Sequence, residues 1–180
     1  MLAIALPASA AESVATNTPA TTNAPAVKAD LKADLAAIPD ASHKPVFTTN
    51  TVSIDGEPVT YIAETGMLPI LKPDGTSRAS IFYVAYTRTG ETNTAARPLT
   101  FCFNGGPGSS SVWLHLGALG PRRVKMNPDG TLPKPPFGLV DNQYSLLNAS
   151  DLVFIDPVAT GFSRVTKDES RSNFLAMTAI

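Results

Sequence analysis

The sequence predicts an α/β fold, and three observations carry this prediction. Residues 99–103 form an apolar run that is too short for a helix and therefore indicates a buried strand. The run enters the turn Asn104-Gly105-Gly106-Pro107-Gly108, after which three serines offer N-caps to an apolar segment with helical spacing. Residues 151–155 are a second continuous apolar run, which is typical of a buried parallel strand. Strands alternating with a helix indicate an α/β sheet.

The first 45 residues are interpreted as targeting and linker sequence. Residues 1–10 resemble the end of a secretory signal, because a short apolar region precedes the cleavage-like Ala8-Ser9-Ala10. This predicts a secreted or periplasmic protein. Residues 11–45 are rich in Ala, Thr and Pro and predict a disordered linker, within which residues 30–38 have the spacing of a short helix.

Antiparallel strands are predicted next. Residues 46–63 alternate on either side of Asp55-Gly56, a type I′ turn signal, so a β-hairpin is expected. Lys72-Pro73-Asp74-Gly75 marks a second turn, and residues 79–87 form a strand that is apolar on both faces and belongs inside a sheet. Residues 126–137 are rich in Pro, Gly and Asp, which predicts a surface excursion without regular structure.

Composition excludes several classes of partner and site. The 180 residues are 43% hydrophobic with a net charge of −1, and no basic cluster exceeds the pair Arg122-Arg123, which is interpreted as a solvated strand edge. Neither nucleic acid nor an anionic membrane is therefore an expected partner. The single cysteine, Cys102, lies in an apolar run and predicts a buried inert thiol. The two histidines, His43 and His115, are too few for a usual metal site, so no metal or cofactor is expected.

The glycine-rich turn is the candidate functional site. Gly105, Gly106 and Gly108 lack the Cβ that forbids positive φ, and Pro107 has no N–H, so the remaining amides can point the same way. Such amides suit a negative oxygen. A phosphate nest is disfavoured because neither glycine-rich phosphate motif is present. An oxyanion hole for acyl transfer and a plain strand-to-helix turn both remain open.

Three blocks of the sequence resemble the serine carboxypeptidase family, of the carboxypeptidase Y type and its bacterial branch. The blocks are residues 104–111, 119–121 and 153–164, and they follow the family's order. The resemblance implies an α/β-hydrolase fold and an exopeptidase that releases the C-terminal residue of a peptide or protein through an acyl-enzyme. It also implies roles for three residues of the turn. Gly106 would be an oxyanion-hole donor, and Asn104 and Gly105 would bind the substrate's terminal carboxylate.

The sequence departs from the family pattern at four positions. Ser109 stands where eukaryotic members carry Cys, Cys102 where they carry an aromatic residue, and Ala118 where they carry a carboxylate-recognising Glu. Ala159 replaces a Gly; if that position needs positive φ, Ala costs roughly 1 kcal/mol in local strain. We expect the loop around Ala159 to be slightly displaced for this reason.

The sequence contains no Gly-x-Ser-x-Gly nucleophile elbow, since Gly161-Phe162-Ser163-Arg164-Val165 ends in Val. The resemblance implies that the family's Ser, Asp and His triad would follow residue 180. Asp156, at the end of the second strand, is therefore interpreted as a residue that fixes its loop by hydrogen bonds. We expect residues 46–180 to be the N-terminal part of an incomplete α/β-hydrolase domain that is inactive alone. We also expect it to be aggregation-prone, because the strands at 98–103 and 152–155 would lack neighbours and leave an apolar sheet edge open.

Two other functions remain open at this stage. The chain could be a non-catalytic secreted module that binds peptides and has kept the carboxylate-recognising turn. It could also belong to an α/β-hydrolase of different chemistry, such as an esterase, because esterases share glycine-rich oxyanion turns.

Overall fold

The computed structural model describes residues 4–6, 44–92, 96–105 and 108–175. Most of the predicted linker, its short helix at 30–38, and Gly106 lie outside the described residues. In the ranges described, no helix is both long enough and apolar enough to cross a membrane.

A seven-stranded mixed sheet organises the described chain. Its seven strands are β1 (Ile4–Leu6), β2 (Val46–Ile54), β3 (Glu57–Leu71), β4 (Ser77–Arg88), β5 (Leu99–Cys102), β8 (Asp151–Ile155) and β9 (Arg164–Val165). A separate two-stranded sheet contains β6 (Arg122–Val124) and β7 (Leu139–Asp141). The order across the large sheet is β1-β5-β8-β4-β3-β2, and β9 pairs with β4 beside this path. β5 and β8 are parallel, whereas the other pairs in the described sheet are antiparallel.

The predicted β-hairpin is confirmed as β2 and β3. Asp55 and Gly56 both have positive φ, 52° and 84°, as a type I′ turn requires. Val52 faces Val59 across the hairpin, and both side chains are buried. The second predicted turn joins β3 to β4, where Gly75 has φ of 87° and its N–H donates to the carbonyl of Lys72.

The three strands predicted to be buried or inside a sheet, β4, β5 and β8, each have a neighbouring strand on both sides. β4 lies between β3 and β8, and every residue of β4 except Thr87 is buried or half-buried, as expected of a strand that is apolar on both faces. β8 lies between β4 and β5 and is parallel to β5, as the continuous apolar run predicted. A parallel pair needs a long crossover, and here residues 103–150 supply one that includes helix α1 (Val112–Leu114). The α/β class is therefore confirmed.

The core lies on one face of the sheet, beneath α1. α1 continues as a π-helical segment, His115–Leu119, so the predicted helix is present but only its first turn is α-helical. Cys102 is 1% exposed and is a free thiol whose pKa is raised by burial, as expected of an inert cysteine. The buried members of the core are Val52, Ile54, Val59, Tyr61, Cys102, Leu114, Leu147, Leu152 and Phe154.

The opposite face of the sheet exposes apolar side chains along β5 and at the residue directly after it. Leu99, Phe101 and Phe103 are 40%, 41% and 44% exposed, whereas the alternating Thr100 and Cys102 are buried. The expectation of an open edge is wrong for the strand at 152–155, because β4 and β5 flank it on its two sides. β5 pairs with β8 and also with β1. The uncovered apolar surface therefore lies on a sheet face.

Two predictions about the connecting segments are also confirmed. Residues 126–137 contain neither helix nor strand, and most of them are exposed. Arg122 and Arg123 lie in β6, where the guanidinium of Arg122 is 3.5 Å from the carboxylate of Asp141 with both side chains partly exposed. This basic pair is a solvated strand edge.

Candidate functional site

The candidate site lies where β5 and β8 end. Because the two strands are parallel, their carboxyl ends meet at the same edge of the sheet, where ligands of α/β proteins gather. β5 leads into the glycine-rich turn and β8 into the loop at 156–163. Together these segments border a cavity of about 420 Å³, lined by Phe103, Asn104, Gly105, Gly108, Pro157, Val158, Thr160, Phe174 and Leu175.

The turn is closed by a bond between its two ends. Asn104 Nδ2 donates to Ser109 Oγ at 2.9 Å. Gly108 has φ of 101°, a conformation that a side chain would strain. Among the described residues, the N–H groups of Gly105 and Gly108 have no hydrogen-bond acceptor. Gly106, the predicted oxyanion donor, lies outside the described residues.

Asp156 connects the turn to the loop after β8. Its Oδ1 accepts from the N–H of Ser111 at 2.9 Å and from the Ser111 hydroxyl at 3.0 Å, and its Oδ2 accepts from the N–H of Phe162 at 3.0 Å. Asp156 is 4% exposed. The predicted loop-fixing role is therefore confirmed. Ser111 occupies the N-cap position of α1, but its hydroxyl serves Asp156 and makes no cap.

Ser163 anchors the loop after β8 through two hydrogen bonds of its hydroxyl. This serine is fully buried; its hydroxyl donates to the carbonyl of Asp156 at 2.7 Å and accepts from the N–H of Phe82 at 2.8 Å. The serine of the incomplete elbow is thus a structural residue. Gly161 has φ of 49°, and a Cβ there would lie 1.8 Å from Asp156 Oδ2, so glycine is required.

Ala159 adopts the strained conformation that the sequence suggested. Its φ is 67°, in the left-handed region that favours glycine. Bonds on either side hold it there: the Thr160 hydroxyl donates to the carbonyl of Pro157 at 2.8 Å, and Arg171 Nη2 donates to the carbonyl of Ala159 at 2.8 Å. The displacement of this loop relative to the family stays a prediction.

His115 belongs to the core beneath the site. Burial lowers its pKa to about 4, although the nearby charge of Asp156 acts in the opposite direction. The imidazole stacks on Phe154 with ring centroids 4.5 Å apart, and its Nε2 shares a hydrogen bond with the hydroxyl of Tyr86. Burial also raises the pKa of Tyr86. Both groups are therefore neutral near pH 7.

The described cavity lining combines hydrogen-bond donors with apolar side chains. None of its nine residues has a titratable side chain, and its one hydroxyl, that of Thr160, donates to a backbone carbonyl. Main-chain N–H groups and the Asn104 amide can bind a carbonyl or carboxylate oxygen. The described lining supplies no nucleophile paired with a base, which covalent catalysis requires.

Sequence reasoning missed part of the cavity wall. Pro157, Val158 and Thr160 fall in a block that resembles the family, but no position in that block was assigned to a site. Phe174 and Leu175 carried no sequence signal, because they reach the cavity only through tertiary contacts such as Arg78 lying 4.9 Å above the Phe174 ring.

Comparison with known proteins assigns most of the described chain, including the candidate site, to one protein family. A family model described as serine carboxypeptidase matches residues 57–178, a range that contains the turn, the loop after β8 and all three sequence blocks.

Individual relatives come from yeast and plants. The chain is 36% identical over 112 residues to the pheromone-processing carboxypeptidase KEX1 of Saccharomyces cerevisiae. The matched region covers 59% of this chain and 14% of the yeast protein. This chain is also 37% identical over 114 residues to serine carboxypeptidase-like 36 of Arabidopsis thaliana. That matched region covers 61% of this chain and 21% of the plant protein. The crystal structure of Kex1(delta)p, a prohormone-processing carboxypeptidase from Saccharomyces cerevisiae, is 30% identical with a TM-score of 0.45, covering 75% of this chain and 24% of that one.

Proposed function

Because this chain belongs to the serine carboxypeptidase family, we propose that its residues take part in serine-type carboxypeptidase chemistry, the release of C-terminal residues from peptides or proteins through an acyl-enzyme. Within the family's α/β-hydrolase fold, the described sheet and its hairpin contribute the substrate-binding half of the site. The observation that carries this proposal is the cavity between the glycine-rich turn and the loop after β8.

The terminal carboxylate of a substrate would bind at Asn104 and Gly105. An amide nitrogen has two donor hydrogens, and Ser109 takes one hydrogen of Asn104 Nδ2, which leaves one for a ligand. The N–H of Gly105 is a second donor on the same cavity. Two such donors to one carboxylate form charge-assisted hydrogen bonds, which are the stronger class. A free C-terminus would therefore be preferred over a blocked one.

The scissile carbonyl would lie one residue further along the turn. We assign the N–H of Gly106 to the oxyanion hole, where it would receive the charge that develops on the carbonyl oxygen during acyl transfer. Gly105 and Gly108 border the cavity on either side of this residue. This placement supports a pairing of carboxylate recognition with oxyanion stabilisation at the last peptide bond.

The nucleophile has no counterpart in this sequence, which lacks a Gly-x-Ser-x-Gly elbow. We assign the catalytic Ser, Asp and His to residues outside these 180. Loss of one oxyanion donor costs on the order of 3 kcal/mol, whereas loss of the nucleophile reduces turnover roughly a millionfold. These 180 residues should therefore bind peptides without cleaving them.

A binding and cleavage experiment tests this function. The chain should bind an N-blocked Phe-Leu dipeptide more tightly than the same dipeptide with a C-terminal amide, and Asn104→Ala should remove the preference. A longer reading frame that supplies the triad should hydrolyse the acid. Equal binding of acid and amide would refute the carboxylate assignment. Hydrolysis of short esters without hydrolysis of the dipeptide would indicate the esterase alternative.

Three narrower assignments belong to the same proposal. We place the protein in the secreted or periplasmic space on the signal-like residues 1–10, whose removal would also remove β1 from the edge of the large sheet. Detection of a processed N-terminus after residue 10 would test this. The carboxypeptidase Y type and the bacterial branch also stay predictions, since the relatives named above are yeast and plant proteins.

A non-catalytic peptide-binding module would be favoured by a stop codon directly after these residues and a stable folded product.

A further inference from the structure

A second cavity, of about 460 Å³, borders the same loop without sharing a residue with the candidate site. The loop contributes Phe162 and β9 contributes Arg164, whereas the candidate site uses Pro157, Val158 and Thr160 of the loop. The remaining lining comes from Lys44, which precedes β2, from the first residue of β2, and from the middle of β3 and β4. The full lining is Lys44, Val46, Thr65, Gly66, Met67, Phe82, Phe162 and Arg164.

The body of this cavity is apolar. Met67 pairs with Phe82 across β3 and β4, and Val46 pairs with Thr65 across β2 and β3, so these side chains come from one continuous patch of sheet. The Phe82 and Phe162 rings are 5.0 Å apart and form the wall on the loop side. The volume lies within the range of about 300–1,000 Å³ that small-molecule sites usually have.

Two cations and no acid complete the lining. Neither Lys44 nor Arg164 forms an ion pair with any residue in the described ranges. Arg164 Nη1 donates to the carbonyls of Gly161 and Ser163, at 2.7 and 2.8 Å, which fixes the guanidinium at the cavity. The unbalanced positive charge at an apolar cavity complements a ligand with one negative group on an apolar body.

The neighbouring acids do not neutralise these cations. Asp156, the acid at the base of the loop, is buried and already accepts three hydrogen bonds from Ser111 and Phe162. Glu64 bonds the hydroxyl of Tyr83, and Tyr83 faces Gly66 on the opposite side of β3 from Thr65 and Met67. A ligand carboxylate would therefore be the partner that the two cations lack among the described residues.

We propose that this cavity binds a monocarboxylate with an aromatic or medium-length aliphatic body of about ten carbons, a size suited to a site of this volume. The body lies against Met67, Phe82 and Phe162, and the carboxylate meets Lys44 and Arg164. This inference is independent of the peptidase proposal, because it uses none of the residues assigned to peptide binding.

Methyl NMR of the chain labelled at its methionines provides the test, with 1-naphthylacetate and its uncharged analogue 1-naphthylacetamide as probes. The Met67 methyl signal should shift on addition of the acid. Met126, which lines a different cavity, should not shift and serves as an internal control. Binding of the amide should be weaker. An unmoved Met67 signal, or equal affinities for the two probes, would overturn the proposal.

Variants at the exposed cation sharpen the test. Lys44→Gln should weaken acid binding roughly two- to five-fold, the range expected for one exposed charge pair, and Lys44→Arg should restore it. Lys125→Gln, a similarly exposed lysine elsewhere, is the matched control and should have no effect. Because Lys44 is exposed, its substitution should leave the fold intact, and the unchanged Met126 signal would verify this. Acid binding that is insensitive to Lys44→Gln would refute the assigned carboxylate position.

Discussion

Asp156 accepts both the N–H and the hydroxyl of Ser111 on a single carboxylate oxygen, at 2.9 and 3.0 Å. These two hydrogen bonds connect the start of α1 to the loop after β8. The other carboxylate oxygen of Asp156 accepts from the N–H of Phe162. An acid at the end of a strand in an α/β sheet invites a catalytic interpretation. The contacts of Asp156 show that it sets the distance between the two walls of the candidate site.

The first prediction concerns this carboxylate. Asp156→Asn should lower the free energy of unfolding by about 2–4 kcal/mol, because the amide nitrogen would face an N–H donor and a buried charged hydrogen bond would be lost. Denaturant unfolding measures this. Asp129→Asn is the control, because Asp129 also accepts two bonds from Thr131 but is exposed. Equal effects of the two substitutions would contradict a central role for Asp156.

The second prediction concerns Gly161. Gly161→Ala should destabilise the fold by about 3 kcal/mol or more, since overpacking adds to the strain of a positive φ. Gly130→Ala separates these causes, because Gly130 has φ of 82° but open space around the Cβ position. It should cost only about 1 kcal/mol, the price of the conformation alone. The difference in unfolding midpoint between the two variants checks the clash with Asp156.

The third prediction concerns Ala159. Ala159→Gly should raise the free energy of unfolding by about 0.5 kcal/mol, since relief of left-handed strain outweighs the added freedom of the unfolded chain. Ala149→Gly is the control, because Ala149 has an ordinary φ of −108°. That change should destabilise the protein by roughly 0.5–1 kcal/mol. The same sign for both substitutions in thermal unfolding would count against strain at Ala159.

The fourth prediction concerns pH. The pKa of His115 is about 4 in the folded state, below its ordinary value of 6.5, because burial disfavours the charged form. The unfolded chain therefore binds a proton first as the pH falls. Stability from this group is complete above pH 6.5 and should decline between pH 6.5 and 4, by roughly 2–3 kcal/mol. In His115→Gln the unfolding free energy should fall less steeply over this interval, and an unchanged slope would exclude His115 as the cause.

Several features were predictable from sequence because their causes are local. The hairpin follows from Asp55-Gly56, since only a few residues tolerate two successive positive φ values. The interior position of β8 follows from its unbroken apolar run. Asp156 was recognised as a loop-fixing residue because Asp commonly bonds backbone groups near turns.

The remaining features depend on contacts between distant residues, which periodicity does not encode. The pairing of Ile4–Leu6 with β5 was not foreseen, since a short apolar run near the start of a chain looks like a signal sequence. Ser111 has the composition of an N-cap, but its hydroxyl turns to Asp156 once β8 brings the carboxylate near. The expectation of an open edge at 152–155 was wrong because the sequence alone did not place β4 beside that strand.

The single cysteine has a practical consequence. Cys102 is the last residue of β5, two positions before the turn, and its thiol is 1% exposed. A thiol reagent can reach this sulfur only when the core packed against β5 opens. The rate of chemical labelling at Cys102 therefore measures how often the core beside the candidate site opens, with no engineered probe required.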